Sequence, residues 1–166
     1  RQHRIYNKCS RRIRRVIGMN FELVIPTSAQ IETLYTQLKN RSHSISHKSV
    51  PSFDEHTEFV QNHPYRKWII VKDTEIAIGN VYIQYNNSIG LNVDSLVSCE
   101  QINKILKGIY ASHSPLPAVP SLRFGEFFLN VASDNKMLQK KLSSLGFSEV
   151  ERTFVLSKSN PYAWRD

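Results

Sequence analysis

Cysteine is scarce in this chain: two residues in 166, Cys9 and Cys99, far apart and in unlike surroundings. No disulfide framework is therefore expected, and a reducing cytoplasm is the expected compartment. Long apolar runs are missing as well. No stretch approaches the length of a membrane span, and the charged N-terminus has no apolar run behind it, so neither a transmembrane nor a secreted protein is expected. A zinc pattern is also absent. His43, His47, His56 and His63 are separated by 4, 9 and 7 residues with no cysteine pair or carboxylate cluster nearby, which excludes a metal from the expected site.

Acidic residues are lacking from one place in particular. The net charge is +8, but residues 1–18 hold Arg1, Arg4, Lys8, Arg11, Arg12, Arg14 and Arg15 and no acid. The rest of the chain carries 15 basic groups against 14 acidic ones. The basicity thus belongs to an arm, and the body is close to neutral. Ile5, Ile13, Val16 and Ile17 leave open an amphipathic helix on a nucleic acid or an anionic membrane, beside a plain solvated arm with no partner. The expected organisation is an arm over 1–18, one folded domain over 19–157 and a tail over 158–166, a length suited to a single core.

What is present reads as alternating strands and helices. Phe21 to Ile25 is a clean strand. Pro26-Thr27-Ser28 then starts a helix whose Ile31, Leu34, Tyr35 and Leu38 repeat at helical spacing. Ser52 and Glu55 form a capping box ahead of Phe53, Phe59 and Val60, and Pro64 stops that second helix. Trp68–Val71, Ile76–Tyr85 and Ser88–Val93 are β-rich runs separated by turn residues, which predicts three antiparallel strands. Ser98, with Gln101 three residues on, starts a helix carrying Ile102, Ile105, Leu106 and Ile109 on one stripe. A stiff connection with Pro115, Pro117 and Pro120 leads back to the sheet.

The most specific segment runs from Phe127 to Leu156. Phe127, Phe128, Leu129 and Val131 predict a strand buried on both faces. Ser133-Asp134-Asn135 offers N-cap residues for a helix with Leu138, Leu142 and Leu145 on its inner stripe. Gly146 ends it, and Val150 to Leu156 predict a last strand.

In that segment Asn130-Val131-Ala132-Ser133-Asp134-Asn135 followed by Leu145-Gly146-Phe147 resembles the C-terminal half of the GNAT acyltransferases. Ser46-His47, Pro51 to His56, His63 to Trp68, Ile78 to Tyr82 and Ile89-Gly90-Leu91 extend the resemblance to a bacterial subgroup over about Phe21 to Leu156. It implies an α/β (α+β) GNAT acyltransferase fold, with a central mixed, mostly antiparallel sheet flanked by helices and two splayed parallel central strands, Ser88–Val93 and Glu126–Ala132. It also implies an N-acetyltransferase taking acetyl-CoA as cosubstrate and a small-molecule amine such as an amino sugar or amino-acid-like metabolite. The assembly it allows for is a homodimer, and neither a membrane nor a nucleic acid is the expected partner of the domain.

The same resemblance supplies the candidate site. Leu91, Asn92 and Val93 would hold the pantetheine arm on an open strand edge. Cofactor phosphates in this family sit on a glycine-rich turn before a helix, yet no glycine occurs from Asp94 to Lys107. Ser98 stands at that helix start with Glu100 in its first turn, which works against a diphosphate, and Lys104 or Lys136 is the cation that offsets it. Asn130 and Asn135 complete the cofactor set. The general-acid tyrosine common in the family, seven residues after Asn135, is replaced by Leu142.

For the base, Asp94 and His47 are the candidates, while each also reads as an ordinary turn or solvated loop residue. His63, Tyr65 and Arg66 are expected to line the acceptor pocket, Arg66 facing an acidic group; a helix stop with a surface arginine is the competing reading. Cys99, at a helix first turn, reads as a small apolar residue or a reactive thiolate. Two alternatives to the enzyme remain: a catalytically impaired GNAT-fold binding or regulatory module, and a nucleic-acid or membrane-surface protein acting through residues 1–18.

Overall fold

The computed structural model describes residues 18–44 and 49–155. The arm over 1–17, the tail beyond 155 and His47 lie outside the described residues.

Strand β1 (Met19–Leu23) leads into helix α1 (Ser28–Lys39), then helix α2 (Phe53–Gln61) and the strands β2 (Lys67–Asp73), β3 (Ile76–Ile83) and β4 (Ser88–Val93). Helix α3 (Cys99–Ser112), the two-residue strand β5 (Phe128–Leu129) and helix α4 (Lys136–Ser144) follow. The sheet order is β1-β2-β3-β4-β5, antiparallel except for the parallel β4–β5 pair.

Local chemistry sets the boundaries of the helices. The Thr27 hydroxyl accepts from the Gln30 amide, and reciprocal capping boxes join Ser52 to Glu55 and Ser98 to Gln101. Each satisfies amides that the first turn leaves without an intrahelical partner. Asn135 caps α4 through its side chain, and Gly146 follows it at φ 88°, the left-handed region glycine enters without strain.

Strand alternation then divides the core in two. Phe21, Ile69, Val71, Val81, Ile83, Ile89 and Leu91 point to one face, where Ile102, Ile105 and Ile109 of α3 and Leu138 and Leu142 of α4 cover them. On the opposite face Trp68 and Ile70 pack with Val24, Ile31, Leu34 and Val60. That second layer of helices lies over β2 and reaches β3, where Ala77 and Tyr82 pack against it. The register places Trp68 opposite Tyr82, Tyr82 opposite Gly90 and Asn80 opposite Asn92, so this face continues across β3 and β4 with small and polar residues.

Two strands differ from the sequence reading. The expected strand over 126–132, buried on both faces, is reduced to Phe128 and Leu129, both half-buried, and β5 is an edge strand. The expected last strand is not formed over 150–155, where Val150 is 79% and Phe154 89% exposed. The second difference follows from the first. A strand needs a neighbour's backbone to pair with, and two residues of β5 offer too short an edge. Smaller shifts affect β1, which lies two residues earlier than expected, and β3, which ends at Ile83 rather than Tyr85.

Asn87 ties the loops to the sheet. It sits at φ 72° in a three-residue hairpin loop between Gln84 and Ser88, the position that tolerates the left-handed conformation in such loops. Its side chain is fully buried, donates to the Leu116 and Phe124 carbonyls and accepts from the Leu116 amide. The proline-rich connection and the start of β5 are thereby fixed to the β3–β4 turn.

Candidate active site

Between β4 and β5 the pairing stops after Ser88 with Phe128 and Ile89 with Leu129. The Gln84 amide donates to the Ser88 carbonyl and the Asp94 amide to the Ile78 carbonyl, so the even-numbered residues of β4 direct their main-chain groups at β3. The odd ones face the other way. Leu91 and Val93 therefore present N–H and C=O groups to a gap in which no strand of the described residues lies beside them, while the backbone of Asn92 is directed at β3.

That gap opens into a cavity of about 940 Å³. Its lining runs from Gln37 in α1 and Arg41 and His43 after it, across Asn80, Tyr82 and Gly90 on the sheet, to Asn130, Asn135 and Lys141. Leu138, from the helix layer on the far side of the sheet, also borders it. His43 Nδ1 lies 3.3 Å from Asp134 Oδ1 across the mouth, close but without hydrogen-bond alignment.

At the end of β4 the turn that precedes α3 is closed by side chains. Asp94 Oδ1 accepts from the Leu96 amide at 2.8 Å, an Asx turn. Lys141 Nζ, from α4, donates to the carbonyls of Ser95 and Val97 at 2.9 and 2.6 Å. Ser98 and Gln101 occupy each other's amides, and Ser98 lies outside the cavity lining. Glu100 pairs with Lys104 at 2.6 Å, and the hydrogen bond to that ammonium holds its carboxyl below the usual range. Of the two cations expected to offset Glu100, Lys104 is thus already engaged and Lys136 lies 3.5 Å from Gln139 Oε1. Lys141 is the cation that faces this end of the cavity. Nothing in its local sequence distinguishes it, because the contact spans 44 to 46 positions.

Leu142 is buried in the core beneath α4, so no side chain at that position can protonate a leaving group. Asn130 and Asn135 line the cavity, and Asn135 Oδ1 is taken by the Leu138 amide. Cys99 is half-buried with no disulfide partner.

The other end of the cavity holds an aromatic group. Tyr65 stacks on Tyr82 at 4.2 Å, and Trp68 meets Tyr65 edge-on at 5.2 Å. Burial pushes the Tyr65 hydroxyl up to about 12 and raises that of Tyr82, so both remain protonated donors at neutral pH. Of the three residues expected here, Tyr65 lines the cavity and His63 and Arg66 do not. His63 stacks behind Tyr65, its pKa lowered by burial, and Arg66 Nη2 donates to the Ser114 carbonyl on the α3–β5 connection. Among the described residues no group of histidine, cysteine and carboxylate side chains can hold a metal ion, and no helix is long and apolar enough to cross a membrane.

No family model and no curated protein sequence matches the chain. Solved structures do. An integron cassette protein from the mobile metagenome of V. cholerae aligns with a TM-score of 0.57 at 12% identity, over 86% of this chain and 94% of that one. A dodecameric spermidine N-acetyltransferase from Vibrio cholerae aligns at 0.51 and 18%, over 82% of each chain. Aminoglycoside N-acetyltransferase AAC(6')-Iy, in complex with CoA, aligns at 0.51 and 16%, over 85% of this chain and 95% of that one. The chain has the GNAT fold.

Proposed function

We propose that the protein transfers an acetyl group from acetyl-CoA to the amine of a small molecule. The observation that carries this reading is the unpaired edge at Leu91 and Val93 facing a cavity that passes between β4 and β5. An extended chain bearing amides can add to such an edge as a strand would, through main-chain hydrogen bonds. Bound there, the donor supplies an activated acyl group as a thioester.

The residues present then divide the work. Leu91 and Val93 hold the pantetheine arm, and Asn130 and Asn135 line the opposite wall. Asp94, whose Oδ2 makes no hydrogen bond among the described residues, takes the proton that the acceptor nitrogen loses as it attacks the acyl carbon. With Leu142 in the core, the thiolate departs without an acid from α4. Lys141 brings positive charge to the loop where family members use glycine amides, offsetting Glu100. Tyr65 and Tyr82 form the acceptor wall. The folded domain, 19–157, works in the cytoplasm as a monomer or homodimer.

A second reading, a binding or regulatory module without efficient turnover, is favoured by one observation: the first turn of α3 is occupied by the Ser98–Gln101 box and carries Glu100. Calorimetric titration with acetyl-CoA, coupled to a thiol-release assay over a panel of amines, separates the two. Heat with release supports the transferase; heat without release from any amine supports the module. No heat at millimolar acetyl-CoA sinks the transferase and leaves the module.

A further inference from the structure

We infer that the acceptor end of the cavity is built to hold a carboxylate on the amine substrate, making amino acids and similar amino carboxylates the acceptor class rather than polyamines. This rests on the acetyl-transfer reading of the same cavity. It starts from Trp68, whose indole Nε1 can only donate. Trp68 Nε1 donates to Asn80 Oδ1 at 3.0 Å, which fixes the orientation of that amide. Asn80 Nδ2 must then face Gln37, and it donates to Gln37 Oε1 at 2.8 Å. With its oxygen taken, Gln37 is left with Nε2, which is buried and has no hydrogen-bond partner among the described residues. Asn92 Nδ2 also donates to Asn80 Oδ1, at 3.3 Å. The relay from Trp68 thus leaves an amide donor of Gln37, in the cavity lining, in need of an acceptor atom.

The groups beside it have the same sense. Arg41 lines the cavity, donates from Nη2 to Ser44 Oγ and acts electrostatically on the hydroxyls of Tyr65 and Tyr82. Those two hydroxyls make no hydrogen bond among the described residues and stay protonated. The carboxylates in the described lining are Glu55 and Asp94. Glu55 Oε2 already accepts from the Ser52 amide and hydroxyl, and Asp94 lies at the opposite, donor end. A polycation entering here meets a guanidinium and committed acids. A carboxylate meets a guanidinium and two phenols, with the unpartnered amide donor of Gln37 buried in the same wall, an arrangement that favours an anion with charge-assisted hydrogen bonds.

The test uses the full chain and two independent readouts. In the first, thiol release from acetyl-CoA is measured for the common L-amino acids, each against its carboxamide, and for spermidine. At least one acid should exceed its carboxamide and spermidine in kcat/KM by about tenfold, and Arg41→Gln should collapse that ratio by a similar factor, the size expected for one charge-assisted bond. Preference for spermidine or the carboxamides, or a ratio unmoved by Arg41→Gln, overturns the inference. In the second, the side-chain amide of Gln37 and the indole of Trp68 are followed by NMR while the same compounds are added without acetyl-CoA. Shifts from an amino acid but not from its carboxamide support the site. Shifts from spermidine instead, or none from any amino acid, refute it, whatever acetyl-CoA itself does.

Discussion

Gly90 is where the sheet gives its surface over to the aromatic wall of the cavity, and Gly90→Ala tests that arrangement. A methyl group built on Gly90 falls against Cζ and both Cε atoms of Tyr82, the cross-strand residue whose ring covers the glycine. Restoring an ordinary carbon contact of about 3.5–4.0 Å requires the ring to retreat about 2 Å. It cannot do so freely, because Tyr65 is stacked 4.2 Å beyond it. Overpacking of this kind costs about 1–3 kcal/mol and the lost stack about 0.5–1.5, so a total of about 1.5–4.5 kcal/mol is expected, or, at about 3 °C per kcal/mol, a Tm lower by about 5–13 °C. Thermal unfolding followed by circular dichroism reads it. The decisive comparison is the cycle with Tyr82→Ala: once the ring is gone, Gly90→Ala should be neutral or slightly stabilising, because the backbone at this position is not in the left-handed region. An equal loss in both backgrounds would refute the account. The ring displaced toward the cavity should also raise the acceptor KM while acetyl-CoA affinity holds.

Asn87→Ala leaves the Leu116 amide and the Leu116 and Phe124 carbonyls without their buried partner, and denaturant unfolding should show a loss of about 2–4 kcal/mol; a loss under 1 would contradict the pinning role. Lys141→Met should weaken acetyl-CoA binding about fivefold by calorimetry and flatten its salt dependence, with Glu100→Gln acting in the opposite direction; an unchanged affinity would remove Lys141 from the cofactor site. Acid should destabilise the fold early. Burial lowers the pKa of His56, His63 and His113 below the ordinary 6.5, so the unfolded chain binds protons that the folded one does not. Their contribution is complete above about pH 6.5 and is lost as pH falls from there through the lowered folded values, so stability rises with pH across that window. His56→Gln should flatten the slope, and a stability independent of pH there would contradict it.

Much of the fold was legible because its signals are local. Ser52 with Glu55, Ser98 with Gln101, and the apolar repeats Ile31–Leu38 and Ile102–Ile109 each lie within one or two turns and specify a helix without reference to the rest of the chain. The limits of β5 and the missing strand over 150–155 depend on a partner edge far away in sequence, and alternating residues such as Val150, Arg152 and Phe154 satisfy the same pattern whether paired or not. The open edge at Leu91 and Val93 was expected only through the family resemblance, which places two parting parallel strands there, and the same expectation included Asn92, whose backbone turns to β3. The site was less legible where it is side chain. Arg66 and Arg41 look equally suitable in sequence, and only the packing sends Arg66 to Ser114 and leaves Arg41 in the cavity. Lys141 was invisible for the same reason.

The open edge itself is most directly tested by amide hydrogen exchange at single-residue resolution, with and without acetyl-CoA. The Leu91 and Val93 amides should exchange readily in the free protein and slow by at least about tenfold when the cosubstrate occupies the gap, while the Asn92 amide, already paired to β3, changes little. Slow exchange at Leu91 and Val93 before any ligand is added, or acetyl-CoA binding that protects other residues and leaves these two unchanged, would contradict the account.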